Sequence, residues 1–183
     1  GSTHSIAGAG GVAIGDLNGD GTPEIVTMMD GGDVAAFSPS GTLKWYYSGS
    51  FSNYSFPTIG DMDADGQAEV AIGPTILSST GTLVGTCGYG TSSAPSVMAD
   101  IDLDGDLDLV TAGKLFVNQS PAGNWLGLQL RGNGTTSDRS AIGAQVRLKL
   151  AGQVLARQVE AGTGQGNQND LALHFGLGPH QGA

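Results

Sequence analysis

Acidic side chains recur at alternate positions in three short stretches of the chain. The stretches begin at Asp16, Asp61 and Asp100 and read DLNGDGTPE, DMDADGQAE and DIDLDGDLD. Each stretch has oxygen-bearing side chains at its positions 1, 3 and 5, a glycine at position 6 and an acid at position 9. Oxygen donors at alternate positions, with a glycine that permits a sharp bend, can wrap around a calcium ion. Because the stretches contain neither thiolate nor imidazole, zinc and copper are disfavoured.

We predict that the side chains at positions 1, 3, 5 and 9 and the backbone carbonyl at position 7 hold the ion. In loop 1 (16–24) the predicted ligands are Asp16, Asn18, Asp20, Thr22 and Glu24; in loop 2 (61–69) they are Asp61, Asp63, Asp65, Gln67 and Glu69; in loop 3 (100–108) they are Asp100, Asp102, Asp104, Asp106 and Asp108. We expect the carboxylate of Asp106 to face water. One ion in each loop gives about three calcium ions.

Two other interpretations of the loops can be weighed on the same residues. An EF-hand requires a bidentate Glu at position 12 and flanking helices. Position 12 is Thr27, Ile72 or Thr111, and the flanks read as strands, so the EF-hand fails. Solvated acidic turns are the remaining alternative, since Asp and Gly are ordinary turn residues. The same ligand positions in three copies make that alternative the weaker one.

The elements around the loops repeat with them. The first acids of successive loops are 45 and 39 residues apart, and SPSGTLKW (38–45) is echoed by SSTGTLVG (78–85). Each unit reads as a short apolar strand, an acidic loop, a second strand, a turn and further strand. A period near 40 residues with several strands per unit is typical of propeller blades. We therefore predict three blade repeats in residues 1–122, at about 1–56, 57–95 and 96–122.

The residue pattern of the sequence changes after the third repeat. The segments WLGLQLRG, AIGAQVRLKL and LALHFGL alternate apolar and polar residues with a period of two. This pattern indicates strands with one buried and one solvated face. We predict a second β domain, resembling a β-sandwich, in residues 123–183. The predicted fold class is therefore all-β, a partial β-propeller followed by this domain.

Composition limits the classes of partner. The chain has 17 Asp and Glu against 7 Lys and Arg, and residues 1–118 carry 14 of those acids with 2 bases. Nucleic acid is disfavoured because phosphate binding needs clustered Lys and Arg. The single cysteine excludes an internal disulfide framework. The sequence has no run of about 18 apolar residues, so no membrane span is predicted. Gly1-Ser2 resembles a cloning remnant, so we expect that a signal peptide is missing from this sequence.

Both parts of the chain resemble known families. The loops have the form D-x-[DN]-x-D-G-x-x-[DE] between strands and resemble the FG-GAP or VCBS repeats of integrin-α-like β-propellers. The literal Phe-Gly and Gly-Ala-Pro motif is absent, so the VCBS type fits better. The resemblance implies calcium held by positions 1, 3, 5, 7 and 9 on the propeller rim. The segments NWLGLQLRG, DRSAIGAQVRL, AGTGQGNQND and LHFGLG resemble the ASPIC and UnbV domain found at the end of cartilage acidic protein and many bacterial secreted proteins.

These features predict a calcium-stabilised extracellular or cell-surface interaction or adhesion module that binds a protein or a carbohydrate and is not an enzyme. The alternative is a fragment of a secreted propeller enzyme, polysaccharide-active or quinone-dependent, with its catalytic residues in other blades. No Ser-His-Asp, paired catalytic carboxylate or Cys-His arrangement stands apart from the loops, so no catalytic residue is predicted. Propellers close with about four to eight blades. Three blades leave open strand edges, which predict self-association or a cover formed by residues 124–183.

Overall fold

In the computed structural model the chain is all-β, which confirms the predicted fold class. The structure describes residues 10–52, 54–88, 94–120, 123–150, 152–162 and 170–178. Alternation of apolar and polar residues, interrupted by glycine-rich turns, accounts for the many short strands. None of the described segments forms a helix that is long and apolar enough to cross a membrane.

Residues of the three repeats form three antiparallel sheets. The first sheet has the order β1 (Val12–Gly15), β2 (Glu24–Met29), β3 (Asp33–Phe37) and β4 (Leu43–Tyr47). The second has the order β5 (Pro57–Gly60), β6 (Glu69–Ile72), β7 (Thr75–Leu77) and β8 (Leu83–Thr86). The third contains β9 (Ser96–Ala99), β10 (Asp108–Thr111) and β11 (Lys114–Phe116).

Each acidic loop connects the first two strands of its sheet in the same register. Position 9 of the loop pairs with the residue before position 1, in the pairs Gly15–Glu24, Gly60–Glu69 and Ala99–Asp108. The loops are therefore equivalent hairpin connections. Since β1, β5 and β9 also contact one another in succession, the three loops emerge at the same end of adjacent sheets.

The sheets stack face to face as propeller blades do. Val26, Met28 and Val34 of the first sheet share one core with Ile72 and Leu77 of the second. The opposite face of the second sheet packs on the third through a core in which Ala71 joins Met98, Leu107 and Leu109. Neighbouring residues of β6 face opposite cores because side chains alternate along a strand.

The C-terminal region folds around a core of its own. β12 (Asn124–Gln129) pairs with β15 (Ala172–Gly178), and β13 (Gln145–Leu150) pairs with β14 (Gln153–Gln158). Leu155, Val159, Leu173 and Phe175 form the buried centre shared by these two sheets. The predicted alternation along these strands supplies this centre from one face of each sheet.

Candidate metal centres and the surface that covers them

The position-1 aspartate ties each loop to its glycine. One carboxylate oxygen accepts the glycine N–H in all three loops, from Gly21 to Asp16 at 2.9 Å, from Gly66 to Asp61 at 3.0 Å and from Gly105 to Asp100 at 3.2 Å. The glycines have φ values of +83°, +94° and +101°, which L side chains rarely adopt. The predicted bend at position 6 therefore requires glycine, because the backbone there has a positive φ.

Position 4 shares a second conformational feature. Gly19, Ala64 and Leu103 have φ values of +70°, +57° and +64°. Only loop 1 has glycine here, so loops 2 and 3 hold non-glycine residues in the left-handed region at a cost of about 1–2 kcal/mol each. No sequence pattern indicated this strain, since Ala and Leu are not typical of that conformation.

Side chains at positions 3 and 5 turn inward through local hydrogen bonds. The Asp20 N–H donates to Asn18 Oδ1 at 3.1 Å and the Thr22 N–H donates to Asp20 Oδ1 at 2.8 Å. Loop 2 repeats both bonds, and in loop 3 the Asp106 N–H donates to Asp104 Oδ1 at 3.2 Å. These turns gather the side-chain oxygens on one side of the loop.

Two of the loops gather three carboxylates closely enough to hold a metal ion. One oxygen each of Asp61, Asp63 and Asp65 lie within 4.8 Å of one another, and Asp100, Asp102 and Asp104 form an equivalent group. In loop 1 the amide of Asn18 takes the place of the middle carboxylate. The donors are all oxygen, the set that calcium and magnesium prefer.

The position-9 acids close the loops. Each is buried, and each accepts the backbone N–H of position 2: Leu17 to Glu24 at 3.0 Å, Met62 to Glu69 at 2.9 Å and Ile101 to Asp108 at 3.0 Å. Sequence reasoning assigned these acids to metal alone. The structure shows that at least one oxygen of each also holds the two ends of its loop together.

The expectation that the Asp106 carboxylate faces water is wrong. Asp106 is only 1% exposed, and neither of its carboxylate oxygens has a hydrogen-bond partner among the described residues. Burial raises its pKa to about 6, and repulsion from Asp104 adds to the shift. Residues 105–108, at the end of loop 3, are all buried where the chain enters β10, so the side chain at position 7 does not reach solvent.

Other loop acids are also held where their charge is unfavourable. Burial raises the pKa of Asp61 to about 6 and that of Glu69 to about 8, and neighbouring loop carboxylates raise both further. Burial and the charge of Asp65 raise the pKa of Asp63 as well. A bound cation would relieve both the repulsion and the loss of solvation.

The C-terminal region lies directly on the loops. The Ala156 N–H donates to Asp16 Oδ2 at 3.3 Å and the Gly176 N–H donates to Asp61 Oδ2 at 3.1 Å. The Gly178 N–H donates to the Ala64 carbonyl at 2.8 Å. The position-1 aspartates of loops 1 and 2 therefore accept hydrogen bonds both within their own loops and from the strands β14 and β15.

Three larger side chains complete this contact. Arg157 Nη1 donates to the carbonyl of Asp16 at 3.4 Å, and its guanidinium lies 5.8 Å from the centroid of the Phe175 ring. His174 Nε2 is 2.9 Å from the carbonyl of Gly105, and its ring stacks on Trp125 with the centroids 5.6 Å apart. No sequence pattern pointed to these residues as partners of the loops, because they are distant along the chain.

A cavity of about 530 Å³ lies between the first strands of the three sheets and the C-terminal region. Its apolar lining includes Ile14, Ile59 and Met98, while Arg147 and Glu160 are among its charged lining residues. The cavity shares Asp16, Asp61 and Asp100 with the loops, so the candidate metal centres lie along its wall.

Comparison with known families matches both halves of this arrangement. Residues 16–72 match the model described as FG-GAP-like repeat. Residues 134–183 match the model described as ASPIC and UnbV. The two matched segments follow one another in the order FG-GAP-like repeat, then ASPIC and UnbV. This confirms the resemblance of both parts, and loops 1 and 2 lie inside the matched repeat segment. Comparison with curated proteins gave no significant match.

Proposed function

We propose that this FG-GAP-like chain is an extracellular calcium-binding module whose ions stabilise a surface for binding a protein or a carbohydrate. The observation that carries the proposal is the convergence of three carboxylates in loop 2 and again in loop 3. The matched families suggest a propeller-like module of extracellular type. The loop geometry supports calcium binding, and the resemblance to the two families supports a role in adhesion and an extracellular location.

Calcium suits the loops better than magnesium does. Calcium accepts six to eight oxygens at about 2.3–2.6 Å in irregular geometry, whereas magnesium requires a near-ideal octahedron and keeps several waters. Each loop has predicted oxygen ligands at five positions, and loops 2 and 3 each bring three carboxylates together, more than the one or two by which magnesium is usually held. Loop 1, with Asn18, offers the same arrangement with one neutral donor.

Thermal unfolding with and without calcium tests the proposal. Calcium at 100 times the dissociation constant stabilises each site by about 2.7 kcal/mol, so the unfolding midpoint in millimolar calcium should exceed that in EGTA by several degrees. Magnesium at the same concentration is the control and should have a smaller effect. Equal midpoints in calcium and EGTA would contradict a structural role for calcium.

The partner surface is proposed to include exposed aromatic rings of the segment 44–56. Trp45, Tyr47 and Phe51 pack on the core of the first two blades, but Tyr46 is 52% exposed and Tyr54 is 61% exposed. Exposed aromatic rings supply flat contact area to sugars and peptides. A glycan array should detect binding that Tyr54→Ala reduces and that Tyr47→Phe, at a packed position, leaves unchanged. Turnover of an arrayed polysaccharide without any added protein would instead favour an enzyme.

Self-association is proposed to use the open face of the third sheet. The cross-strand pair Val26–Ala36 of the first sheet faces the second sheet, and the pair Ala71–Ile76 of the second sheet faces the third. The pair at the same position of the third sheet is Val110–Leu115. Leu115 is nevertheless 48% exposed. Light scattering coupled to gel filtration should show an oligomer that Leu115→Asp dissociates, whereas a monomer at all concentrations would contradict it.

A further inference from the structure

The three loops differ in the number of acids that they carry. Loop 1 contains three acids within residues 16–24, loop 2 contains four within residues 61–69 and loop 3 contains five within residues 100–108. Affinity for calcium depends on the number of charged ligands and on the rigidity of the loop. The sequence repeat makes the loops look equivalent, but their charges already rank them.

Cationic side chains of the protein lie against the two less acidic loops. Lys44 Nζ is 2.5 Å from Glu24 Oε1, the position-9 acid of loop 1. Arg157 donates to the carbonyl of Asp16, and its charge acts on Asp16, Asp61 and Glu69. Loop 1 thus faces two cationic side chains and loop 2 faces one. A fixed positive charge within a few ångströms of a site weakens the binding of a divalent cation.

Loop 3 is placed differently. The charges that act on Asp102 and Asp106 come from other carboxylates of the same loop. Three carboxylate oxygens, both of Asp106 and Oδ1 of Asp100, are buried without a hydrogen-bond partner among the described residues. A buried carboxylate that lacks a partner is costly, and such groups are normally paired or bound to metal. The buried Asp106 carboxylate therefore supplies negative charge at loop 3 that a bound cation would balance.

We propose that loop 3 is the primary divalent-cation site of the chain, that the buried Asp106 carboxylate strengthens it, and that loops 1 and 2 bind a divalent cation more weakly because Lys44 and Arg157 lie against them. This inference rests on the proposed calcium binding and adds an order to it. The order follows from three observations together, namely the acid count, the positions of the two cationic side chains and the unpartnered buried oxygens.

Terbium luminescence can report on loop 3 separately from the other loops. Terbium replaces calcium in oxygen sites and emits when a nearby indole is excited. Trp125 touches loop 3, since a Cβ placed on Gly105 would lie 1.8 Å from the indole Nε1. Titration of the full chain with terbium, competed with calcium and followed also by calorimetry with calcium alone, should show a tight first step with sensitised emission. Trp125→Phe should remove most of that emission and keep the calorimetric step.

Matched variants at position 5 assign the steps to the loops. Asp104→Asn should weaken the first calorimetric step about tenfold or more, whereas Asp65→Asn and Asp20→Asn should leave it within twofold and alter only later steps. Each substitution keeps the side-chain oxygen that accepts a backbone N–H in its loop. Asp106→Asn should also weaken the first step about tenfold, because a neutral amide replaces the buried charge.

The outcomes separate the order of the loops from calcium binding itself. Equal weakening of the first step by Asp104→Asn, Asp65→Asn and Asp20→Asn would overturn the order but leave calcium binding intact. A first step unaffected by Asp104→Asn would likewise overturn it. The absence of any calorimetric step with calcium in the unsubstituted chain would overturn the proposed function and this inference together.

Discussion

At the scale of single residues, Asp108 illustrates how an acid of the loops can be structural. Asp108 is fully buried, and its two oxygens accept the N–H groups of Ile101 at 3.0 Å and of Asn118 at 2.9 Å. The Asn118 side chain in turn donates to the carbonyl of Met62 at 2.7 Å and so links loop 3 to loop 2. One carboxylate therefore organises the loop whether or not a metal is bound.

Removal of that carboxylate should destabilise the metal-free chain. Asp108→Ala leaves two N–H donors without their acceptors, and we expect a loss of about 2–4 kcal/mol in the free energy of unfolding, measured by urea denaturation in EGTA. Asp102→Ala is the matched control, since Asp102 is an exposed acid of the same loop. Its effect should stay within about 0.5 kcal/mol. Equal losses for both variants would show that the buried hydrogen bonds are not the cause.

The raised pKa values of loop acids predict a pH dependence of the metal-free chain. Burial raises the pKa of Glu69 to about 8, while an unfolded chain releases the same proton near the ordinary value of about 4.3. Between these values the folded state binds more protons than the unfolded state, so stability falls as pH rises. Asp61 and Asp106, with pKa values of about 6, act in the same direction.

Urea denaturation at pH 5.5, 7.0 and 8.5 checks this sign. In EGTA the free energy of unfolding should decrease from pH 5.5 to pH 8.5. Most of the decrease that is due to Asp61 and Asp106 should be complete by pH 7, because their pKa values are about 6. In saturating calcium the decrease should be smaller, because the metal stabilises the ionised carboxylates. Stability of the metal-free chain that rises from pH 5.5 to 8.5 would contradict the raised pKa values.

At the scale of elements, two equivalent turns have the same backbone strain but differ in the packing around their glycines. Gly41 and Gly81 occupy the same place in the third hairpin of the first and second blades, and both have a φ of +79°. A Cβ on Gly41 would meet nothing within 4 Å, whereas a Cβ on Gly81 would lie 2.6 Å from the indole of Trp45. That indole also donates to the carbonyl of Ser79 at 2.9 Å and joins the two blades.

Alanine at the two turns should therefore have unequal effects. Gly41→Ala imposes the left-handed backbone strain alone, about 1–2 kcal/mol. Gly81→Ala imposes the same strain and displaces Trp45, so we expect an additional loss of about 1–3 kcal/mol and a shift of the Trp45 fluorescence. Urea denaturation of both variants measures the difference. Equal losses would show that the indole moves aside without cost.

At the scale of the whole molecule, the loops join the two matched regions. β14 contacts loop 1, β15 contacts loop 2, and the stacked pair of His174 and Trp125 contacts loop 3. The half-buried Arg157 brings a positive charge to the acidic end of the first two blades. The charge asymmetry of the sequence, acidic before residue 118 and basic after it, matches this contact.

Removal of the Arg157 charge should destabilise the chain more strongly without calcium than with it. Arg157→Met keeps most of the apolar volume, loses the bond to Asp16 and leaves loop carboxylates without that charge. We expect a loss of about 1–3 kcal/mol in EGTA and a smaller loss in saturating calcium, since the ion supplies positive charge to the same loops. Arg131→Met, at an exposed position, is the control and should change stability by less than about 0.5 kcal/mol. Equal losses with and without calcium would contradict a role as counter-charge.

Local patterns were sufficient to predict most of the fold and the loops. The spacing of Asp16, Asp61 and Asp100 predicted repeated hairpins, and alternation near Leu126, Val146 and Leu173 predicted the later strands. The strand pairing in the structure confirms both predictions. The burial of the Asp106 carboxylate could not be predicted, because it depends on the bend of loop 3 and on how the loop packs in the folded chain.

The sequence by itself determined the positions of the acids, the glycines of the bends and the order of strands, since all of these follow from residues close together along the chain. Only the tertiary structure decided which loop acids lie against Lys44 and Arg157. Arg157 lies 141 residues from Asp16 along the chain, and His174 lies 69 residues from Gly105. Contacts of that separation depend on how whole sheets pack, which no local pattern of residue types specifies.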